Sequence, residues 1–281
     1  MSEYEILAPV GSFKELNIIL REKPDAIYVG MKGVTSRPSR TDFSEEEIIE
    51  ATKICHEKNI KLYVAINSTI HQHEMTELLK SIERLDNVGV DSFIIADFGV
   101  IAEVSKTLKN AEIHASTLLG VYNKRTVQLL KNMGVVRIIF CANLYIDEMV
   151  EIINAFPDLD YELVAEGGTC FNDIRQCRLP HIISDTEHTL TCRSGCILYD
   201  DISGKPYKGK LLAEHPCRVA EVLGIYMAIG IKSFKIEGRT VPAAERVQVI
   251  RDLKTNRVRF ENGSPLKSYL HYINRQRREI L

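Results

Sequence analysis

Eight short apolar runs recur along this 281-residue chain, and they narrow what it can fold into. They are Glu5–Val10, Ala26–Gly30, Lys61–Asn67, Ser92–Asp97, Glu112–Ser116, Arg137–Cys141, Tyr161–Glu166 and Ser233–Glu237. Each is too short for a stable helix and too continuously apolar for a strand with one wet face. Runs of this kind fit parallel strands buried on both faces. Helical patterns fill the gaps. Ser44 followed by three glutamates reads as a capped helix start with an acidic first turn, running to about Lys58. His73–Leu85, Gly99–Leu108, Asn123–Met133 and Ile146–Ala155 carry apolar residues at helical spacing, and Gly89 and Gly134 stand where helices stop.

Strand and helix therefore alternate, as in repeated βαβ units. The first seven strand starts lie about 20 to 35 residues apart, and eight strands in this length suit a (β/α)₈ barrel, a TIM-like fold. A doubly wound open sheet is the alternative. The turn after the first strand, Ala8-Pro9-Val10-Gly11-Ser12, lacks the glycine fingerprint of a dinucleotide-binding sheet.

The seventh interval is anomalous, with about 70 residues between strand starts. It implies a Cys-rich insertion between strands 7 and 8, at about 167–215, within a barrel over residues 1–255. The insertion is polar and weakly periodic, so it cannot build its own core and needs a staple. It follows the C-terminal end of a strand, which in a barrel is the active face. Four of the seven cysteines fall in it: Cys170, Cys177, Cys192 and Cys196, with six, fourteen and three residues between them. Four thiolates can hold Zn²⁺ or an iron–sulfur cluster. Structural zinc usually shows two close pairs, whereas only the second pair is close here. A cluster tolerates wider spacing, and free thiols are the third reading. Cys217, at the insertion's end, is a substitute ligand. Cys141 ends the sixth strand, and Cys55 reads as a small buried hydrophobe.

Cysteine usage follows the compartment. The N-terminus, MSEYEILAPVG, shows no basic stretch followed by an apolar run, and no apolar stretch reaches 18 residues. The expectation is a cytoplasmic protein without membrane insertion, in which disulfides are unfavourable. The formal charge is −2, so no global basic field marks a nucleic-acid binder. The end departs from this balance, with eight Lys/Arg against three Asp/Glu from Arg251 to Leu281. A basic C-terminal tail over 256–281, with Arg275, Arg277 and Arg278, can touch phosphates or simply be a solvated helix.

Polar residues fall at the ends of the expected strands: Asn67 with His71, Asp97, His114 with Ser116, Asn143, Glu166, and Lys235 with Glu237 and Arg239. In a barrel these positions converge on one mouth. His114, Glu166, Lys235 and Glu237 are the candidate catalytic residues. Asn67, His71, Asp97, Ser116 and Arg239 are candidate substrate-binding residues. Lys235 and Glu237 share a strand face, so they pair with each other or hold a substrate. For His114 the plainer reading is a hydrogen-bonded interior histidine. No His-Glu-x-x-His or Gly-x-Ser-x-Gly signature is present.

Leu7-Ala-Pro-Val-Gly-Ser12, Asp25-Ala-Ile-Tyr-Val-Gly30, Ile113-His-Ala-Ser-Thr117, Cys170 with Cys177 after Glu-Gly-Gly-Thr, and Lys235-Ile-Glu-Gly-Arg239 occur in this order along the chain, and together they resemble the peptidase U32 family. The family takes its name from collagenase-like proteases. Other members support oxygen-independent hydroxylation of tRNA or ribosomal RNA bases or of ubiquinone precursors, as iron–sulfur proteins with four Cys ligands. The resemblance implies a 4Fe–4S cluster rather than zinc, and an enzyme that takes a small-molecule oxygen donor. It leaves three functions: a hydroxylase acting on RNA or a small quinone-like ring, a peptidase, or a non-catalytic iron–sulfur partner of a paralogous barrel.

Overall fold

The computed structural model describes residues 4–36, 39, 41–141, 144–167, 197–199, 206–210, 217–218, 223–239 and 241–261. The strands are β1 (Glu5–Pro9), β2 (Ala26–Gly30), β3 (Lys61–Ile66), β4 (Ser92–Ile95), β5 (Glu112–Ala115), β6 (Val135–Ile139), β7 (Asp160–Gly167), β8 (Ile197–Tyr199), β9 (Pro206–Lys210), β10 (Cys217–Arg218) and β11 (Ser233–Ile236). The helices are α1 (Leu16–Leu20), α2 (Glu45–His56), α3 (Met75–Asn87), α4 (Phe98–Val104), α5 (Lys124–Asn132), α6 (Ile146–Ala155), α7 (Leu223–Ala228) and α8 (Ala243–Glu261).

Strands β1 to β7 pair in sequence order, each parallel to the next. Strand β11 then pairs parallel with both β7 and β1, which closes the ring. Closure excludes the open doubly wound sheet, because that fold keeps two free edges. All eight apolar runs of the sequence are strands of this barrel. The pleat sends alternate residues inward and outward. Leu7, Tyr28, Tyr63, Ala65, Ile94 and Ile139 pack together inside the ring. Ile6, Val29, Val64, Phe93 and Ile138 face outward, in one core with Leu16, Ile48, Leu78, Val100, Val127 and Ile152 of the helices.

Local chemistry fixes the helix ends. Ser44 accepts from the Glu47 amide, and Glu47 accepts from the Ser44 amide, forming a reciprocal capping box. Asn123 accepts from the Thr126 amide at the start of α5. Gly89 and Gly134 take φ values of 95° and 83° just beyond α3 and α5, where a side chain would be strained. Three helices were not evident in the sequence: α1 and α7 are short, and α8 has no clean apolar stripe. Helix α8 also runs past residue 255, across the boundary expected for the basic tail.

Part of the long seventh connection is described. Strands β8 and β9 form a separate antiparallel pair. Strand β10 pairs antiparallel with the end of β7, with Cys217 opposite Gly167 and Arg218 opposite Glu166. Cys170, Cys177, Cys192 and Cys196 lie outside the described residues, as do Asn143 and the tail beyond 261. Among the described residues, no helix is long and apolar enough to cross a membrane.

At the N-terminal end of the barrel, buried Asp86 ties α3 to the chain entering β5. Its carboxylate accepts from the amides of Lys109, Asn110 and Ala111 at 2.9, 3.0 and 2.7 Å. Replacing it with alanine strands three amide donors. Asp86→Ala should cost about 3 kcal/mol in chemical denaturation, and Asp86→Asn less, because one oxygen remains. Equal stability of wild type and Asp86→Ala would refute this role.

Candidate active site at the barrel mouth

The barrel interior is not wholly apolar. Arg137, from β6, enters it with a nearly buried guanidinium. Its Nη1 donates to Glu5 Oε1 at 2.5 Å and lies 3.2 Å from Glu162 Oε2. The Ser233 hydroxyl sits 3.0 Å from the same two carboxylate oxygens and has one proton to share between them. The Tyr63 hydroxyl donates to Glu5 Oε2 at 2.7 Å. Burial works to raise the Glu5 carboxyl. Arg137's charge and hydrogen bond, with that of Tyr63, overcome it and hold the group below its ordinary 4.5. Burial likewise opposes the Arg137 charge, but Glu5 and Glu162 raise its pKa. Glu5 and Ser233 open their strands, so this network stands toward the N-terminal end.

Lys235 lies one step toward the mouth on the same inner face. Its ammonium is 3.8 Å from Glu162 Oε1 and 4.3 Å from the centre of the Tyr28 ring. Burial lowers its pKa, while Glu162 and then Glu237 work to raise it. Among the described residues, Glu162 is its ion-pair partner, while Glu237, expected either to pair with Lys235 or to hold a substrate with it, acts on it through its charge. The cause is strand register: Lys235 pairs with Val164, and Glu162 reaches it from one pleat below.

Above this floor, Arg239 leaves β11 and crosses to β2. Its Nη1 donates to Asp42 Oδ1. The other Asp42 oxygen accepts from the Thr35 hydroxyl and the Ser39 amide, both at 2.9 Å. Gly30 makes room, since a Cβ there would lie 1.8 Å from Arg239 Nη1. Asn67 Oδ1 accepts from the Ser36 amide at 3.1 Å. The loop after β2 is thus pinned to the mouth from both sides. Glu166 and Glu237 meet at the rim, where the Glu237 amide donates to the Glu166 carbonyl at 2.7 Å.

The remaining expected site residues scatter. His114 is fully buried at mid-strand, with Nε2 3.0 Å from Glu112 Oε2 and its ring edge-on to Tyr63 at 5.0 Å. Its partner opens β5, so it faces away from the mouth. Ser116 accepts from the Leu118 amide, and Asp97 caps α4 through the Val100 amide. Both are side chains that set backbone turns at the mouth. His71 is exposed on the loop after β3, stacked on His73 at 5.9 Å. Cys141 is buried and donates to the Thr117 carbonyl. Burial pushes the Cys55 thiol up to about 12, as befits a core residue. Among the described residues, no group of three or more metal-ligating side chains gathers.

Four important residues did not stand out in the sequence: Glu5, Arg137, Glu162 and Arg246. Arg246 of α8 is buried, donating to the Pro9 carbonyl at 3.1 Å and to Glu15 Oε2 at 2.7 Å. The usable signal was a charge on the inward parity of a strand, which an interior tolerates only when paired.

The architecture defines the class: a closed parallel (β/α)₈ barrel with a charged floor and a polar C-terminal mouth. The chain belongs to peptidase family U32, whose model matches residues 11–278. It is 28% identical over 271 residues to a tRNA hydroxylation protein P of Helicobacter pylori, covering 89% of this chain and 64% of that protein. It is 26% identical over 242 residues to the 23S rRNA 5-hydroxycytidine C2501 synthase of Escherichia coli, covering 84% and 36%. A collagenase of Porphyromonas gingivalis is 22% identical over 262 residues, covering 85% and 62%. The chain spans less than two thirds of the length of each of these relatives. The solved structure of the U32 peptidase Mk0906 superposes with a TM-score of 0.59 at 12% identity, covering 86% of this chain and 96% of that one, which supports the fold.

Two outcomes follow. Arg137→Met leaves Glu5 and Glu162 without their shared cation and should cost about 3–5 kcal/mol in denaturant unfolding; a loss under about 1 kcal/mol would contradict the pairing. Burial, the leading cause, also lowers the His114 pKa below 6.5, so the folded state holds the ring neutral. The unfolded chain takes up a proton there below about pH 6.5, so this contribution to stability is lost as pH falls. The wild-type-minus-His114→Gln stability difference should shrink from pH 7 to 5; a rise would mean a protonated folded ring.

Proposed function

We propose that this chain is the barrel of an iron–sulfur-dependent, oxygen-independent hydroxylation enzyme acting on an RNA base. The observation that carries this reading is where the chain leaves and rejoins the barrel on either side of the cysteine segment. Strand β7 ends at Gly167, three residues before Cys170, and β10 returns to pair with Gly167 and Glu166. Both ends of the segment are therefore fastened beside Glu166 and Glu237. A set of four cysteines in a segment too polar to form a core fits a thiolate-held group. Cys170, Cys177, Cys192 and Cys196 would hold a 4Fe–4S cluster, with Cys217 as a reserve. When bound, such a cluster supplies one-electron chemistry. A zinc ion with all four positions filled by Cys would be closed to substrate and structural.

The chain's own residues divide the remaining work. Lys235 offers a desolvated ammonium at the floor of the mouth, suited to an anionic oxygen of a small-molecule donor or substrate. Arg239 adds a second cation fixed by Asp42. Glu166 and Glu237 hold or release protons at the rim. RNA as substrate draws support from the hydroxylation relatives and from the basic tail, Arg275, Arg277 and Arg278 among its residues. A paralogous barrel is a candidate partner, and the cytoplasm is the expected location. The collagenase relative favours a peptidase as the second reading. Against it, Ser116 is engaged with the Leu118 amide and His114 with Glu112, so the two do not form a nucleophile–base pair.

Anaerobically purified full chain should contain about four iron and four sulfide per chain. Replacing Cys170, Cys177, Cys192 or Cys196 singly with serine should lower both, and Cys217→Ser should not. Zinc in place of iron, or a folded chain that carries neither iron nor sulfide, would overturn the cluster.

A further inference from the structure

The barrel interior contains polar atoms that the structure leaves unmatched. Among the described residues, His114 Nδ1, Glu162 Oε1, Arg137 Nε and Ser92 Oγ are buried without a hydrogen-bond partner. They come from four consecutive strands, β4 to β7. Arg137 touches Glu162 and pairs in register with His114. Ser92 pairs in register with Glu112, the partner of His114. Each such atom carries the desolvation cost of a buried polar group without a partner.

Their hydrogen-bonding characters are complementary to water. The His114 Nε2 faces a carboxylate and so carries the ring proton, which makes Nδ1 a bare acceptor. Glu162 Oε1 is an acceptor too, while Arg137 Nε and the Ser92 hydroxyl are donors. A buried water typically makes two to four hydrogen bonds, and it can donate twice and accept twice. Other charged or titratable groups beside His114 are Glu5 from β1 and Tyr63 from β3.

We propose that buried water inside the barrel bridges His114 and Glu162, and completes a proton path from Glu112 at the N-terminal end to Lys235 beneath the mouth. The Glu112 side chain is 51% exposed, whereas that of His114 is fully buried, so Glu112 is the opening to solvent. From Glu112 the path runs 3.0 Å to His114 Nε2. Protons run outward along it: Nδ1 takes one from the water as Nε2 releases its own to Glu112, and the water is resupplied by way of Glu162 Oε1, which is 3.8 Å from the Lys235 ammonium. Lys235 can then exchange protons with bulk solvent while the mouth is covered. The path does not depend on which chemistry the mouth performs.

A crystal structure of the full chain at a resolution that shows ordered water tests the first half. Density within hydrogen-bonding distance of both His114 Nδ1 and Glu162 Oε1 is expected. A dry interior, or protein donors on both atoms, overturns the proposal. Solvent exchange of the His114 Nε2 proton, followed by nitrogen-edited NMR, tests the second half. Glu112→Gln is a half-exposed, near-isosteric change and should slow exchange at least about tenfold, because an amide cannot act as the base. A buried structural water would leave that rate unchanged, so unchanged exchange overturns the path even where the water is seen. Ser92→Ala removes one partner of the water and should lower its occupancy; full occupancy in that variant excludes Ser92 from the site and overturns the bridge as drawn.

Discussion

Arg137 stands between two carboxylates, Glu5 and Glu162, inside a ring of eight strands, and the rest of the interior is arranged around that contact. An eight-stranded barrel has room for side chains and little else. A cation there must be paired at close range, and the anions must be paired in turn. Strand β1 therefore brings Glu5, β7 brings Glu162, and β11 brings the Ser233 hydroxyl between them. Because Glu162 is held on its Oε2 side, its other oxygen is left facing Lys235. The position of the mouth's central ammonium thus derives from an ion pair one layer below it.

This arrangement divides the barrel into two ends. Toward the N-terminal end, charges neutralise one another and Asp86 gathers backbone amides; these groups hold the chain together. Toward the C-terminal end, Lys235, Arg239, Glu166 and Glu237 surround the mouth, and the segment carrying four cysteines both departs from and returns to the end of β7. Relatives in the same family are named for RNA hydroxylation and for collagen cleavage, so the barrel alone does not select the chemistry. The hydroxylase reading rests on the groups at the mouth and on the cysteine segment.

The strands were legible because double burial leaves a nearly continuous apolar run, which the eight segments all show. Ser44 and Glu47 were legible as a cap, since their interaction is local. Closure of the ring was not, because hydrogen bonding between β11 and β1 joins residues more than two hundred positions apart. The same distance hid Arg246, which reads as an exposed helix charge until Pro9 and Glu15 are seen beside it. Lys235 was legible as a charge inside the barrel, but Glu162 as its partner was not. Within one strand Glu237 is the obvious choice, whereas register between strands delivers Glu162. His114 looked like a mouth residue because it nears the end of its strand; its hydrogen bond to Glu112 points it the other way.

The central claim is that this barrel puts an oxygen atom on an RNA base. Nucleoside mass spectrometry of total tRNA and ribosomal RNA, from cells with and without the intact gene, tests it most directly. A hydroxylated nucleoside should vanish on deletion and be replaced by the same nucleoside lacking one oxygen. It should return with the wild-type gene and not with a Cys170→Ser copy. Identical nucleoside profiles in all strains, in cells shown to express the protein, would contradict the account.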